Sequence, residues 1–348
     1  MYKEEAMEEK VIPNFKMVMP EAYTLTTGDV DLSVFSDYGQ VLELDHVSRD
    51  ELKEALKDAD ALFVNKIQVN EDLIKDAKNL KYIGECATGY NNIDIDYCNS
   101  RGITVTNVPT YSTSAVAQQT FAYILNHYSK VAEYNKFVHE DGWINADTFA
   151  PFVFPTDELQ GKTIGLVGYG KIGKAVAKIA DAFGMTVLVN TRSFEKSKEM
   201  GSNTELEGFI DRAEKYITYV TFDNLLRHSD IVSIHCPLND ESQHLFGAET
   251  ISKMRNGAFL INTARGPIID EEALVAALKS GKLSGAAVDV LDAEPMRQDC
   301  KLMNAENCVI TPHVAWAPKS TRQRLVNEVI KNLKAFQDGK PVNTVTDF

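Results

Sequence analysis

One histidine, one arginine and two carboxylates follow apolar, β-branched runs of the chain, close to the point where each run ends. Arg265 lies in LINTARG, Asp289 and Glu294 lie in AAVDVLDAEP, and His313 lies in VITPHVAW. Such runs are typical of buried strands in a parallel sheet, and these sheets bind ligands at the carboxyl ends of their strands. A lone histidine after a strand is more often structural than catalytic, so its interpretation depends on its neighbours.

Together these side chains suit hydride transfer to a 2-keto acid. Arg265 could clamp the substrate oxygens and stabilise negative charge that develops on the carbonyl oxygen. His313 could protonate that oxygen, because histidine ordinarily titrates near neutral pH. A neighbouring carboxylate could orient the imidazole and favour its charged form. We therefore interpret His313 as a catalytic residue.

A glycine-rich loop precedes these segments in the chain. Gly168, Gly170 and Gly173 have the GxGxxG spacing within TIGLVGYGKIGKAVAKIADAFG, between an apolar strand and an amphipathic helix. The glycines permit a tight turn and allow pyrophosphate to approach the free N–H groups at the start of the helix. This context predicts dinucleotide binding, and the alternative is a tight turn without a ligand.

The residues after the next strand bear on which nicotinamide cofactor binds. An NAD-specific site has an acidic residue there, which repels a 2′-phosphate. This chain instead has Asn190, Thr191, Arg192 and Ser193, and Arg192 with Ser193 could bind a phosphate. We predict NADP or NAD as the cofactor, with NADP favoured. The alternative is that Arg192 lies in solvent and that NAD is accepted through neutral contacts.

Strands alternate with helices in two blocks of the chain, which predicts parallel βαβ units. The first block spans residues 14–105, the second begins at Lys162, and a long helix starting near Ser112 or Ser114 joins them. The predicted fold class is α/β with two doubly wound parallel sheets. The polar segment near residues 198–216 is longer than its connection requires, and we expect a surface excursion there.

The composition indicates a soluble globular protein and argues against several other classes. The 348 residues are 44% hydrophobic and 25% charged, which favours two domains. The formal net charge of −14 argues against nucleic-acid binding. No apolar stretch predicts a secretory signal or a membrane span. The five cysteines include no C-x-x-C pair, so we expect a reduced, cytoplasmic protein without a thiolate metal site.

The motifs together resemble those of the D-isomer-specific 2-hydroxyacid dehydrogenase family, over roughly residues 40–335. The segments that carry this resemblance include ATGYNNIDID, NVPTYSTSAVAQQTFAYIL, LVGYGKIGKAVAKIADAFGM, LINTARGPIIDEEAL, AAVDVLDAEP and ITPHVAWAPKSTRQRL. TGYNNID and HVAWA resemble the glycerate dehydrogenase (hydroxypyruvate reductase) branch of the family.

The resemblance implies a Rossmann cofactor domain and a flavodoxin-like, discontinuous substrate domain. The substrate domain would comprise residues 1–111 and 318–348, and the nucleotide-binding domain residues 112–317. The helix at the start of the latter would be an interdomain hinge and a homodimer contact. The implied activity is the reversible, NAD(P)H-dependent reduction of a 2-keto acid to the D-2-hydroxy acid. Hydroxypyruvate and glyoxylate, which yield D-glycerate and glycolate, are the expected substrates.

The resemblance also implies roles for individual residues. Arg265 would clamp the substrate, Glu294 would pair with His313, and His313 would donate the proton. In the first block, the backbone N–H groups of Thr88 and Gly89 would bind the substrate carboxylate, and Lys66 would either face the substrate or be an ordinary surface lysine. The implied cofactor contacts are Lys171 and Ile172 at the pyrophosphate, Cys236, Pro237 and Ser242 at the adenosine, and Thr263, Ala264 and Asp289 at the nicotinamide. Asp289 could instead cap its strand.

Three other functions are compatible with parts of this pattern. The first is a D-lactate-type or other 2-hydroxyacid dehydrogenase. The second is a non-enzymatic, nucleotide-sensing corepressor, because that class uses the same fold and retains similar residues. The third is a relative that oxidises formate or phosphite, which would need a pocket specialised for a very small anion.

Overall fold

The computed structural model describes residues 14–194 and 216–347, and the chain divides into two compact units. Unit 1 comprises residues 1–112 and 317–348, and unit 2 comprises residues 113–316. The boundaries expected from the sequence lie one residue away from these. The segment near residues 198–216 lies outside the described residues except for Tyr216.

Unit 1 contains one parallel sheet of five strands with the order β2-β1-β3-β4-β5. The strands are β1 (Lys16–Met19), β2 (Gln40–Glu43), β3 (Ala61–Val64), β4 (Tyr82–Glu85) and β5 (Thr104–Thr106). The helices are α1 (Arg49–Leu56), α2 (Glu71–Ile74), α3 (Ile95–Arg101) and the last helix of the chain, α10 (Lys319–Gln337). Every residue of β3 and β4 is buried, as expected for inner strands covered on both faces.

Helix α10 packs with the N-terminal block and makes unit 1 discontinuous, as predicted. The Arg322 guanidinium donates to both carboxylate oxygens of Asp29 at 2.7 Å and also to the Leu25 carbonyl at 3.0 Å. This bidentate ion pair holds the pKa of Asp29 well below its usual range. Further along the helix, the buried Asn332 amide donates to the Asn107 carbonyl at 2.9 Å.

Unit 2 contains a parallel sheet of seven strands with the order β12-β11-β10-β9-β6-β7-β8. The strands are β6 (Thr163–Val167), β7 (Thr186–Asn190), β8 (Ile217–Tyr219), β9 (Ile231–Ile234), β10 (Ala258–Asn262), β11 (Leu283–Val288) and β12 (Cys308–Ile310). The helices with assigned bounds are α4 (Thr113–Ser129), α5 (Val131–His139), α6 (Lys171–Ala182), α7 (Phe222–His228), α8 (Ala248–Lys253) and α9 (Glu271–Lys279).

The two strand orders confirm the predicted fold class. The order in unit 1 is that of flavodoxin-like sheets, and the order in unit 2 is that of dinucleotide-binding sheets. The strand order of unit 2 reverses between β6 and β9, and the glycine-rich loop follows β6. The fold therefore places this loop at the position where such sheets bind nucleotides.

Both faces of the unit 2 sheet are covered by buried apolar side chains. Along β10, Leu260 belongs to one core cluster, whereas Phe259 and Ile261 belong to the cluster on the opposite face. Successive strand residues alternate between faces, so two packed layers hold the same strand. This packing fixes the level at which each strand ends.

The structure differs from the sequence-based expectation in three elements. Edge strands β2 and β8 were not predicted, because each is short and offers little alternation to detect. β8 begins directly after the segment near residues 198–216 that was expected to be a surface excursion. The long helix is two helices, because Lys130 between them adopts a left-handed conformation with φ 52°.

The helices and the cysteines of the described part of the chain exclude two kinds of feature there. None of its helices is long and apolar enough to cross a membrane. All five cysteines are free thiols, so no disulfide framework stabilises either unit.

Candidate active site

Six strands of unit 2 are paired so that one residue of each lies at the same level, near its carboxyl end. This register row consists of Asn190, Val167, Ile234, Asn262, Val288 and Ile310. Apart from Asn190, which belongs to the row itself, the predicted site residues of unit 2 lie beyond the row, in the loops that follow it or in the first turn of helix α6. The phosphate loop, the Arg265 loop and the His313 loop therefore leave the sheet at one edge.

The glycine-rich loop has the geometry of a phosphate-binding turn. Gly168 has φ 100°, and a Cβ there would lie 2.7 Å from the Cys236 nitrogen. A Cβ at Gly173 would lie 2.5 Å from the Gly168 carbonyl oxygen. At Gly170, in contrast, a Cβ would meet nothing within 4 Å. Two of the glycines are thus required by the turn, and the third leaves open space before helix α6.

The start of helix α6 fits a dinucleotide phosphate. Gly170 precedes the helix, no side chain caps it, and the predicted residues Lys171 and Ile172 are its first two residues. The first N–H groups of a helix lack intrahelical partners and favour an anion. The Thr263 hydroxyl oxygen is shielded from solvent and has no hydrogen-bond partner in the described chain. These features suit a bound dinucleotide held by the start of α6 and by Thr263.

The residues predicted to line the adenosine side of the cofactor make different kinds of contact in the structure. The Asn190 side chain is buried and donates to the Val220 carbonyl at 3.0 Å. The Ser242 hydroxyl accepts from the Asn239 N–H and donates to the Pro237 carbonyl, both at 2.8 Å. The Asn190 side chain thus joins the end of β7 to the residue after β8, and the Ser242 side chain stabilises its own loop after β9. Cys236 and Pro237 follow β9 after one intervening residue, at the same edge as the glycine loop.

Arg192 is accompanied by an acidic residue that the sequence did not reveal. Its guanidinium lies 3.5 Å from a carboxylate oxygen of Glu241, and both side chains are 63% exposed. Thr191 and Ser193 hydrogen bond to each other through their hydroxyls at 3.1 Å. The loop after β7 therefore presents a cation, two hydroxyls and one nearby carboxylate from the loop after β9.

Backbone contacts hold the Arg265 loop in place. The buried Asn262 side chain accepts from the Ala264 N–H at 3.0 Å and donates to the Arg265 carbonyl at 2.8 Å. The Arg265 guanidinium donates to the Ala264 carbonyl at 2.7 Å and forms no ion pair with a carboxylate of the described residues. A guanidinium in this state is suited to an anionic ligand.

Gly266 brings the Arg265 loop against the loop that contains Glu294. A Cβ at Gly266 would lie 1.9 Å from the carbonyl carbon and oxygen of Leu291. No residue with a side chain could occupy this position without displacement of one of the two backbones. The glycine directly after Arg265 is the one feature of the sequence that could have indicated this close approach. The sequence does not identify the contacting residue, Leu291, which lies 25 residues further on.

His313 and Glu294 form the predicted pair. The imidazole Nδ1 lies 2.6 Å from one carboxylate oxygen of Glu294, and the other oxygen accepts from the Leu291 N–H at 3.0 Å. The side chains are 23% and 35% exposed, respectively. With Nδ1 engaged by the carboxylate, Nε2 is the nitrogen that can exchange a proton with a ligand.

Asp289 stabilises the loop that carries His313. Its carboxylate is 2% exposed and accepts from the N–H groups of Val314 and Ala315, each at 2.9 Å, and from the Thr311 hydroxyl at 2.5 Å. Its carbonyl accepts from the His313 N–H at 2.7 Å, and His313 has φ 54°. These contacts favour the alternative role, at the strand end, over a direct cofactor contact.

The remaining predicted residues belong to unit 1, whereas Arg265, Glu294 and His313 belong to unit 2. The Thr88 hydroxyl donates to the Val108 carbonyl at 2.8 Å, and the Asn107 amide donates to the Thr88 carbonyl at 2.7 Å. The N–H groups of Thr88 and Gly89 find no acceptor within the described chain. They are thus available for an anion. Lys66 is exposed and follows β3.

Comparisons with known proteins identify the family that this chain resembles over most of its length. A family model described as D-isomer specific 2-hydroxyacid dehydrogenase, NAD binding domain, matches residues 121–315. A hydroxypyruvate reductase from Blautia hydrogenotrophica is 38% identical over 333 residues, which cover 95% of this chain and 99% of that protein.

Two solved structures have the same fold. A D-lactate dehydrogenase from Aquifex aeolicus, complexed with NAD and lactic acid, has a TM-score of 0.76 and 29% identity, over 96% of this chain and 99% of that one. An NADPH-dependent glyoxylate/hydroxypyruvate reductase from Sinorhizobium meliloti, in complex with NADP and malonate, has a TM-score of 0.76 and 26% identity, over 95% and 97%. The phosphate loop and the His313–Glu294 pair lie within the matched region, and the chain belongs to the D-isomer specific 2-hydroxyacid dehydrogenase family.

Proposed function

We propose that this protein is an NAD(P)-dependent D-2-hydroxyacid dehydrogenase that reduces hydroxypyruvate or glyoxylate to D-glycerate or glycolate. The observation that carries the proposal is the 2.6 Å pair of His313 and Glu294 at the sheet edge that also holds the phosphate loop. The name of the hydroxypyruvate reductase relative, which spans nearly the whole chain, supports the choice of substrate.

The proposed mechanism assigns one task to each group. The Arg265 guanidinium binds the substrate carboxylate and the carbonyl oxygen, and the N–H groups of Thr88 and Gly89 bind the carboxylate. His313 Nε2 donates a proton to the carbonyl oxygen, and Glu294 stabilises the imidazolium through Nδ1. A bound reduced nicotinamide supplies the hydride that the carbonyl carbon accepts.

A panel of keto acids tests this function directly. Hydroxypyruvate, glyoxylate, pyruvate and phenylpyruvate are each incubated with NADPH and with NADH, and cofactor oxidation is followed. We expect hydroxypyruvate or glyoxylate to give the highest kcat/KM. A preference for pyruvate would favour the D-lactate type, and the absence of turnover with all four would favour a nucleotide-sensing role.

The two reaction directions are expected to respond oppositely to pH. Keto-acid reduction needs a protonated His313 and weakens as pH rises, whereas hydroxy-acid oxidation needs the neutral imidazole and strengthens. In Glu294→Gln the neutral amide no longer orients and stabilises the imidazolium, so kcat/KM for reduction should be lower than in the parent. Profiles of kcat/KM between pH 5 and 10 check this. Superimposable profiles of the variant and the parent would show that the pair does not control proton transfer.

We further propose that NADP is preferred. The described residues that directly follow β7, 191–194, include no acidic residue, and Arg192 is 63% exposed at the position where a 2′-phosphate would need a cation. The 3.5 Å pair with Glu241 is exposed, and pairs of this kind contribute little. A phosphate could therefore displace the Glu241 carboxylate from Arg192.

Arg192→Ala is expected to raise KM for NADPH by about 10-fold or more, since charge-assisted bonds to phosphate contribute about 1.5–3 kcal/mol. KM for NADH should stay within about twofold. Arg255→Ala is the matched control. Arg255 precedes β10 and pairs with Asp230, which precedes β9, so both lie at the opposite edge of the sheet. Equal effects of Arg192→Ala on the two cofactors, or a strong NADH preference of the parent, would reverse this assignment.

We also propose that the protein is a homodimer. Several large apolar side chains of α5 and the segment after it are exposed, with Ile144 at 81%, Phe149 at 90% and Phe152 at 94%. Such a concentration of exposed apolar surface is typical of a protein interface. Sedimentation of the purified chain should give a dimer, and the pair Phe149→Glu and Phe152→Glu should give a monomer. A monomeric parent at micromolar concentration would contradict the proposal.

A further inference from the structure

Two carboxyl groups are buried at the carboxyl ends of strands in unit 1. Glu85 is the last residue of β4 and is 1% exposed, and Glu21 follows β1 and is 4% exposed. Burial of a carboxyl group is costly unless hydrogen bonds compensate for the lost water. Neither residue belongs to the predicted site, so their burial calls for a separate explanation.

Glu21 organises the loop after β3. One of its carboxylate oxygens accepts from three consecutive N–H groups, those of Asn65 at 2.9 Å, Lys66 at 2.9 Å and Ile67 at 3.0 Å. Strands β1 and β3 are adjacent at the point where the strand order of unit 1 reverses. Consecutive N–H groups of this kind form an anion-binding cavity, and here the chain supplies the anion itself.

Asn92 connects this loop to the loop after β4. Its amide nitrogen donates to a Glu85 carboxyl oxygen and to the Ile67 carbonyl, both at 3.1 Å. The backbone carbonyl of Asn92 accepts from the Val69 N–H at 2.8 Å. The other Glu85 oxygen is shielded from solvent and has no hydrogen-bond partner in the described chain. Glu85 therefore contributes to this network through Asn92 alone.

We propose that Glu85, acting through Asn92, is a positioning residue for the two loops that carry Lys66, Thr88 and Gly89. The proposal rests on the function proposed above, in which the loop after β4 binds the keto-acid carboxylate. Only two residues separate Glu85 from Thr88. A displacement of Glu85 would therefore also displace the backbone of Thr88. The network ties both loops to the ends of buried strands, which is how a scaffold keeps binding groups within a fraction of an ångström.

The charge of Glu85 makes this positioning sensitive to pH. Burial raises the pKa of Glu85 to about 8, opposed by the Asn92 hydrogen bond and the charge of Lys66 and reinforced by the charge of Glu21. The neighbouring thiol of Cys86 also has a raised pKa because of its burial. Glu85 is thus neutral at pH 7, and above about pH 8 it adds a second buried negative charge near Glu21.

The sign of the linkage follows from proton binding. Below the ordinary pKa of 4.5, Glu85 is protonated in both the folded and the unfolded chain. Between 4.5 and about 8 the folded chain binds more protons, so the contribution of Glu85 to stability falls as pH rises through this window. At higher pH the carboxylate is charged and its burial opposes the ordered network.

Substrate KM measured from pH 6 to 9.5 tests the proposal. In the parent, KM for the keto acid should rise above pH 8, by at most about tenfold per pH unit for a single ionisation. Glu85→Gln keeps an acceptor for Asn92 but cannot ionise, so it should have a parent-like KM at pH 7 and lack this rise. Asn92→Ala should raise KM at pH 7 by about 10- to 100-fold, because misplaced binding groups are costly.

Two controls separate positioning from general stability. Asn91→Ala removes the neighbouring exposed asparagine, whose side chain has no hydrogen-bond partner among the described residues, and should behave like the parent. Cofactor affinity, measured by nicotinamide fluorescence, should be unchanged in all variants. A Glu85→Gln profile that superimposes on the parent's would overturn the proposal. So would an Asn92→Ala variant with a lower melting temperature and an unchanged KM.

Amide hydrogen exchange keeps this test independent of the proposed reaction. At pH 9 the amides of residues 65–67 and 86–92 should exchange faster in the parent than in Glu85→Gln, because only the parent ionises there. A parent without turnover on any keto acid would refute the proposed function, and exchange would still decide the network. Equal exchange in the two proteins would refute the positioning role.

Discussion

Arg265→Ala is expected to lower kcat/KM for the keto acid by about 100- to 1,000-fold, the range observed for loss of one group that stabilises an oxyanion. The guanidinium follows β10 and forms no ion pair with a carboxylate of the described residues, so its charge is available to the substrate. Because this charge acts on the developing oxyanion, kcat should fall as well as KM rise. Cofactor affinity should remain within about twofold, since the phosphate loop makes separate contacts.

Arg265→Lys and Arg255→Ala complete this experiment. Lysine retains the charge but not the planar fork, so Arg265→Lys should have an intermediate kcat/KM. Arg255 lies at the opposite edge of the sheet, and its removal should leave kcat/KM near the parent value. An Arg265→Ala variant with near-normal kcat/KM would exclude Arg265 from the catalytic machinery.

Gly266→Ala is expected to impair both stability and activity. The new Cβ would lie 1.9 Å from the Leu291 carbonyl, a distance that only a backbone shift can relieve. Inserting atoms into a close-packed contact typically costs about 1–3 kcal/mol and sometimes more. The shift would separate the Arg265 loop from the backbone whose Leu291 N–H orients Glu294. We therefore expect a melting temperature several degrees lower and a kcat/KM reduced by about 100-fold or more.

Gly247→Ala is the matched control for this substitution. Gly247 precedes helix α8 with φ −88°, and a Cβ there would lie 3.5 Å from the nearest atom, the His244 carbonyl oxygen. Its replacement should leave melting temperature and kcat/KM close to those of the parent. If Gly266→Ala behaved like Gly247→Ala, the close approach of the two loops would have no functional role.

The principal architecture was predictable because it depends on local patterns. Apolar runs such as TIGLV and AFLIN are long enough to show that they are buried strands, and their alternation with helices indicates parallel sheets. Parallel strands end at a common edge, so the positions of Arg265 and His313 after such runs predicted that they would lie on one edge. The edge strands β2 and β8 escaped prediction, because β2 is mostly exposed and β8 has only three residues.

The resemblance to a known family added what the patterns could not. It selected Glu294, five residues after Asp289, as the partner of His313, and the structure shows a 2.6 Å contact. Local sequence does not distinguish two carboxylates of one short loop. The distinction depends on the loop after the neighbouring strand β12, since the N–H groups of Val314 and Ala315 in that loop donate to the Asp289 carboxylate.

The amino-acid sequence by itself thus determined the fold class, the phosphate loop and the chemical identity of the groups at the sheet edge. Only the tertiary structure decided which residues hold those groups in place. Glu241 approaches Arg192 across 49 residues, the Gly266 backbone meets Leu291, and Glu21 binds a loop more than 40 residues away. Such contacts join residues that share no local pattern. They arise because parallel strands from distant parts of the chain end side by side, and the loops at their ends must pack against one another.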